Sequence, residues 1–246
     1  YKYDRERADI SRMNELSGYF DQAAYDAHPL IHYHYGSEDD MFDAHSYNKG
    51  GLVLHMLRDV VGDDAFFASL QYYLKQNAFK SAEVDDLRQA FEEVTGLDLH
   101  WFFDQWYFDK GHPVLDVKNN YDAATRKLTL EFNQTQSDLG FREMFILPID
   151  IAVIHQDSSI EIRRILLDQK TQSFTFDEPS APLTVVVDPR DILLAVVNHE
   201  IPESEYAIRA VSNLSINHRL SAFRLMSGFE PAVMQKLMRD SSYTIR

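Results

Sequence analysis

A multidomain α+β fold is the class this sequence predicts, and three observations predict it. Up to about residue 110, apolar residues recur at helical spacing. The period then drops to two as far as about residue 199, as in half-buried strands. Helical spacing returns after residue 200. The first change falls on Gly111-His112-Pro113, which stops a helix chemically. With 246 residues, 45% of them hydrophobic, the chain can bury more than one core. The expected domains are residues 1–112, 113–200 and 201–246.

The elements follow in order. Ile10, Met13, Leu16, Tyr19 and Phe20 mark an opening helix, and Ala27–Asp43 reads as loop, with His-Pro and Gly signals. Val53, Met56, Leu57 and Val60 share one helix face, and Gly62 is the expected stop. Asp63-Asp64 opens a helix expected to turn Phe67, Leu70 and Leu74 inward. Val84, Leu87, Phe91 and Val94 mark a fourth helix, closed by Gly96. Leu99, Phe102, Phe103 and Trp106 mark a fifth, with the aromatics of Trp101–Trp106 read as core. Strands are expected at Val114–Lys118, Leu128–Phe132, Ile146–Ile154, Ile160–Leu167, Ser173–Phe176, Leu183–Val187 and Ile192–Val197. That many short strands, separated by turn signals, predict an antiparallel β-sandwich. Tyr206, Arg209 and Ala210, then Leu220, Phe223, Arg224 and Met226, then Val233, Leu237 and Met238 mark three short helices. Pro231 stands near the start of the last, and the set resembles the opening of a helical solenoid.

Composition narrows the function. The net charge of −15 disfavours a nucleic-acid partner, because phosphate contacts need a basic surface. No apolar run reaches the roughly 20 residues of a membrane-spanning helix. The absence of cysteine excludes disulfides, thiolate-bound metal and a cysteine nucleophile, and leaves the compartment open. No Gly-x-Ser-x-Gly and no phosphate-cradling glycine loop occurs. His28, His32, His34 and His45, with Glu38, Asp39, Asp40 and Asp43, could form a metal site of the chain's own. Pro29 disfavours a helical His28–His32 pair, however, and surface histidines beside carboxylates are the simpler expectation. His199-Glu200 has Glu203 where a second histidine would be needed, so no His-Glu-x-x-His is present.

Tyr47-Asn48-Lys49-Gly50, at the start of the amphipathic second helix, is the most specific segment. Taken alone, Tyr47 reads as a buried aromatic whose hydroxyl is hydrogen-bonded. Its surroundings change that. The run from Phe42 through Tyr47 to Arg58 resembles the tyrosine segment of the zinc aminopeptidases typified by aminopeptidase N. Pro29-Leu30, Gly62-Asp63 with Phe66, Asp86-Leu87, Phe91-Glu92, Thr95-Gly96, Trp101-Phe102-Phe103, Gln105-Trp106, Gly111 and Pro113 continue the likeness in order. It is specific over residues 20–118 and looser to residue 199.

The resemblance implies that residues 1–112 are the C-terminal helical lobe of a thermolysin-like catalytic domain, followed by the sandwich and the first helices of a solenoid. It implies that Tyr47 is catalytic, donating a hydrogen bond to the oxyanion formed when zinc-activated water attacks a peptide. It places Phe42 beside the substrate's first side chain. The family's zinc ligands precede this segment and no equivalents occur here. The expectation is therefore a zinc aminopeptidase as the parent, with this chain binding no zinc and inactive without the zinc-bearing N-terminal half. The alternative is a non-catalytic scaffold or binding module derived from the same family.

Overall fold

The computed structural model describes residues 4–228 and 230–246. They separate into two compact units. One comprises Glu15–His112 with Gly140–Arg142, and the other comprises the remaining described residues.

The first unit is helical. It holds the end of α1 (Arg5–Ala23), then α2 (Gly50–Val61), α3 (Asp63–Gln76), α4 (Val84–Thr95) and α5 (His100–Phe103). Helix α4 shows how local chemistry sets its ends. The Asp86 carboxylate accepts the Glu83 N–H at 2.8 Å at the start. Gly96 takes the left-handed conformation at the end, φ 69°, and donates to the Glu92 carbonyl. The expected face of α3 is corrected by one position. Phe66 and Ser69 are buried, whereas Phe67 and Leu74 are exposed. Adjacent phenylalanines make the helical phase ambiguous, and packing decides it: Phe66 meets Phe91 edge-on with ring centroids 5.5 Å apart. Arg58 covers Phe67, its guanidinium 5.1 Å from the ring centre. Phe102, Phe103, Trp106 and Tyr107 are buried, as the aromatic spacing predicts for the first three. Burying each such ring contributes about 1.5–3 kcal/mol.

The second unit holds two sheets. Strands β1 (Val114–Asp122), β2 (Lys127–Gln134), β3 (Leu147–Ile154), β4 (Ile160–Leu167), β5 (Thr171–Asp177), β6 (Thr184–Val187) and β7 (Val196–Glu200) follow the expected order. One sheet has the order β5-β2-β1-β7 and the other β4-β3-β6. Alternation places Leu128, Leu130 and Phe132 in the core, with Leu128 opposite Phe176 and Leu130 opposite Phe174. Central strand β3 is buried on both faces from Ile151 to Ile154. The last strand departs from expectation twice. It begins at Val196, not Ile192, because the Asp188 carboxylate accepts the N–H groups of Ile192 and Leu193 at 2.9 and 2.8 Å and ties that stretch into a turn. It also pairs parallel with β1 whereas the other pairings are antiparallel, and alternation carries no record of strand direction.

Helices α6 (Ser204–Val211), α7 (Ile216–Leu225) and α8 (Pro231–Met238) close the unit around Ala210, Ala222 and Leu237. The Ser215 side chain caps α7 by accepting the His218 N–H at 3.3 Å, and Pro231 opens α8. Among the described residues no helix is long and apolar enough to cross a membrane.

Candidate active-site tyrosine and its loop

Tyr47 lies in a π-helical turn, His45–Lys49, that leads into α2. The widened turn arises because the N–H groups of Asn48 and Lys49 both donate to the Ala44 carbonyl, at 3.0 and 2.9 Å. Such single π turns interrupt helices frequently at functional sites.

Three side chains hold this turn. The Asp43 carboxylate accepts the Ser46 N–H at 2.7 Å, and the Asp43 carbonyl accepts the Tyr47 N–H at 3.1 Å. Gln22 on α1 reaches in from 21 residues away. Its oxygen accepts the Ala44 N–H at 2.7 Å, and its nitrogen donates to Asp43 at 3.3 Å. The Asn48 amide donates to the Glu15 carbonyl at 3.0 Å. Only the tyrosine of this segment turns outward. Tyr47 is 63% exposed, and its hydroxyl has no hydrogen-bond partner among the described residues. The buried, satisfied tyrosine that the residue alone suggests is thereby corrected. Phe42 is 70% exposed, and its ring lies beside that of Tyr47, with centroids 6.1 Å apart.

Lys49 is the residue of this segment that sequence reasoning missed. It is fully buried, donates to the Asp109 carbonyl at 3.2 Å and has its ammonium 5.9 Å from the centre of the Tyr19 ring. Burial lowers its pKa to about 8, against a smaller opposing pull from Asp109. An unfolded chain would keep this proton up to the ordinary lysine value, so the folded state should gain stability as pH rises from about 8 towards about 10.4. The urea midpoint is expected to climb across that interval, and Lys49→Met should abolish the climb. A flat wild-type profile would show that Lys49 does not carry this cost.

Of the eight candidate metal ligands, the structure gathers three: ligand atoms of His28, Asp43 and His45 lie within 4.8 Å of one another. The His32 ring packs on that of His28, with centroids 4.2 Å apart. His34 is exposed, as are Glu38, Asp39 and Asp40 on a short 3-10 turn. His45 is fully buried, which corrects the expectation of surface histidines. Its Nε2 accepts the His28 N–H at 3.4 Å, so the other ring nitrogen carries the proton. His199 lies in the other unit, where its Nε2 meets the Asn119 side-chain oxygen at 2.7 Å.

Residues 7–106 match the peptidase family M1 domain. Over these residues the chain is similar to peptidase family M1. Residues 111–188 match an Ig-like fold domain of unknown function. Rice aminopeptidase M1-C is 32% identical over 148 residues, covering 59% of this chain and 16% of its own length. Human glutamyl aminopeptidase is 28% identical over 183 residues, covering 73% of this chain and 18% of its own length. The chain therefore spans less than a fifth of either relative's length. The crystal structure of Legionella pneumophila aminopeptidase A in complex with aspartic acid matches with a TM-score of 0.77 at 17% identity. That match covers 98% of this chain and 31% of the other, a likeness of fold. The α+β architecture and the M1 aminopeptidase kinship expected from the tyrosine segment are both borne out.

Proposed function

We propose that this chain is the tyrosine-bearing part of a zinc aminopeptidase, and that Tyr47 stabilises the oxyanion during hydrolysis of the peptide bond next to a free N-terminus. The observation that carries this reading is the state of Tyr47. It is an exposed phenol with an unpaired hydroxyl, and the residues on both sides of it are tied down, in a segment of family M1. A phenol carried on a fixed turn, with its hydroxyl free to donate, can meet charge that develops on a substrate oxygen. Phe42, alongside, offers an apolar wall to the side chain of the first substrate residue. In the longer protein, zinc held by residues outside this sequence would supply the Lewis acid and the activated water. Without a His-Glu-x-x-His, this chain alone is expected to be inactive towards aminoacyl substrates.

The test is Tyr47→Phe in the longer protein. Turnover should fall about a hundredfold, in line with loss of one oxyanion donor. KM and bound zinc should not change, since the phenyl ring and the turn beneath it are retained. Unchanged turnover would remove Tyr47 from the mechanism. The same assay on this chain, with and without added zinc, should show no activity.

A further inference from the structure

Glu15, Gly18, Tyr19 and Gln22 stand at i, i+3, i+4 and i+7 on α1, which is one face of that helix. Each of them meets the chain around Tyr47. The Gln22 side-chain oxygen accepts the Ala44 N–H at 2.7 Å, and its nitrogen donates to Asp43 at 3.3 Å. The Tyr19 ring meets the His45 ring edge-on, with centroids 5.3 Å apart. The Glu15 carbonyl accepts from the Asn48 amide at 3.0 Å. Gly18 takes part by having no side chain, since a Cβ there would stand 2.7 Å from Asn48 Nδ2. Glycine weakens a helix interior more than any residue except proline. At position 18 it leaves the space through which Asn48 reaches the backbone of α1.

The two tethers flank Tyr47. Gln22 grips the chain three residues before it, and Asn48, one residue after it, grips α1. The Ala44 N–H can be met only by the Gln22 oxygen, which turns the Gln22 N–H groups to Asp43. One amide thus serves two partners. Glutamate would have no N–H to give Asp43, and methionine would satisfy neither partner.

We propose that Gly18 and Gln22 are positioning residues for the oxyanion donor, and that this face of α1 is the seat that fixes the backbone on both sides of Tyr47. The proposal rests on the role given to Tyr47 above. Both residues act on the backbone beneath the phenol and not on its hydroxyl. They therefore govern where the phenol is presented, and a misplacement of about 1 Å can lower a rate about a hundredfold.

Gly18→Ala and Gln22→Met, each made in the longer protein with and without Tyr47→Phe, test this. Gly18→Ala is the sharper variant, because alanine favours the helix while its Cβ displaces Asn48. Each change is expected to lower kcat about tenfold, with KM, bound zinc and the thermal midpoint little altered. Amides between Phe42 and Lys49 should lose protection from hydrogen–deuterium exchange. In the Tyr47→Phe background neither change should lower kcat further, since the group they position is gone. An equal loss of kcat with and without the Tyr47 hydroxyl would show that both residues act by another route, and would overturn the proposal. So would unchanged kcat or unchanged exchange in both variants beside a Tyr47→Phe that does lower turnover. If Tyr47→Phe is itself silent, the function proposed for Tyr47 fails and the positioning role falls with it.

Discussion

Acidification from pH 6.5 to pH 4 is expected to unfold the helical unit, through two histidines that it buries uncharged. His45 is fully buried and His112 nearly so. Burial is the main cause for both, and each is pushed from the ordinary histidine value down to about 4. The charge on His28 adds to the effect at His45, and that on Lys49 adds to it at His112. The sign follows from proton counting. Between about 6.5 and 4 the unfolded chain binds a proton at each ring and the folded chain does not, so stability falls as pH falls. Above 6.5 the full contribution is present. A shift of that size corresponds to about 3 kcal/mol per histidine, an upper figure, and two together rival the total stability of an ordinary domain. Urea denaturation at pH 7.5 and at pH 4.5, followed by circular dichroism, checks this. His112→Gln keeps a group able to meet the Tyr19 hydroxyl, which lies 3.3 Å from His112 Nδ1, and should remove about half of the pH dependence. Equal midpoints at the two pH values would show that these rings are not buried neutral.

Gly111→Ala is expected to cost about 2–5 kcal/mol, from left-handed strain and overpacking combined. Gly111 has φ +83°, and a Cβ there would stand 2.2 Å from Phe141 Cγ and 2.5–2.6 Å from both Cδ atoms. The Phe141 ring is also packed against His112, with centroids 5.3 Å apart, so it has little room to retreat. Gly96→Ala is the control. It too has positive φ, +69°, but nothing lies within 4 Å of the added carbon, and it should cost about 1 kcal/mol. Thermal unfolding of the two variants separates strain from collision. Equal losses would mean that the Phe141 ring yields freely and that only the backbone matters at Gly111.

The element order, the stop at Gly96 and the opening of α8 at Pro231 were legible in the sequence, because periodicity and capping act within a few residues of chain. The same holds for Tyr47, whose segment carries its family pattern in consecutive residues. Adjacent Phe66 and Phe67 satisfied the pattern of α3 equally well, and only the position of Phe91 chose between them. The late start of β7 depended on Asp188 taking two N–H groups, and its pairing with β1 joins residues about 80 apart.

The site divides along the same line. That a tyrosine stands at the mouth of α2 with an aromatic five residues before it is a property of the chain read in one dimension. That Tyr47 is exposed while Lys49, two residues on, is buried required the tertiary structure, as did the burial of His45 and the contact of His28 with Asp43. Burial and charge state depend on which donors, acceptors and apolar surfaces arrive from Gln22, Tyr19 and Asp109. Those groups are remote in sequence, and no local pattern encodes their approach.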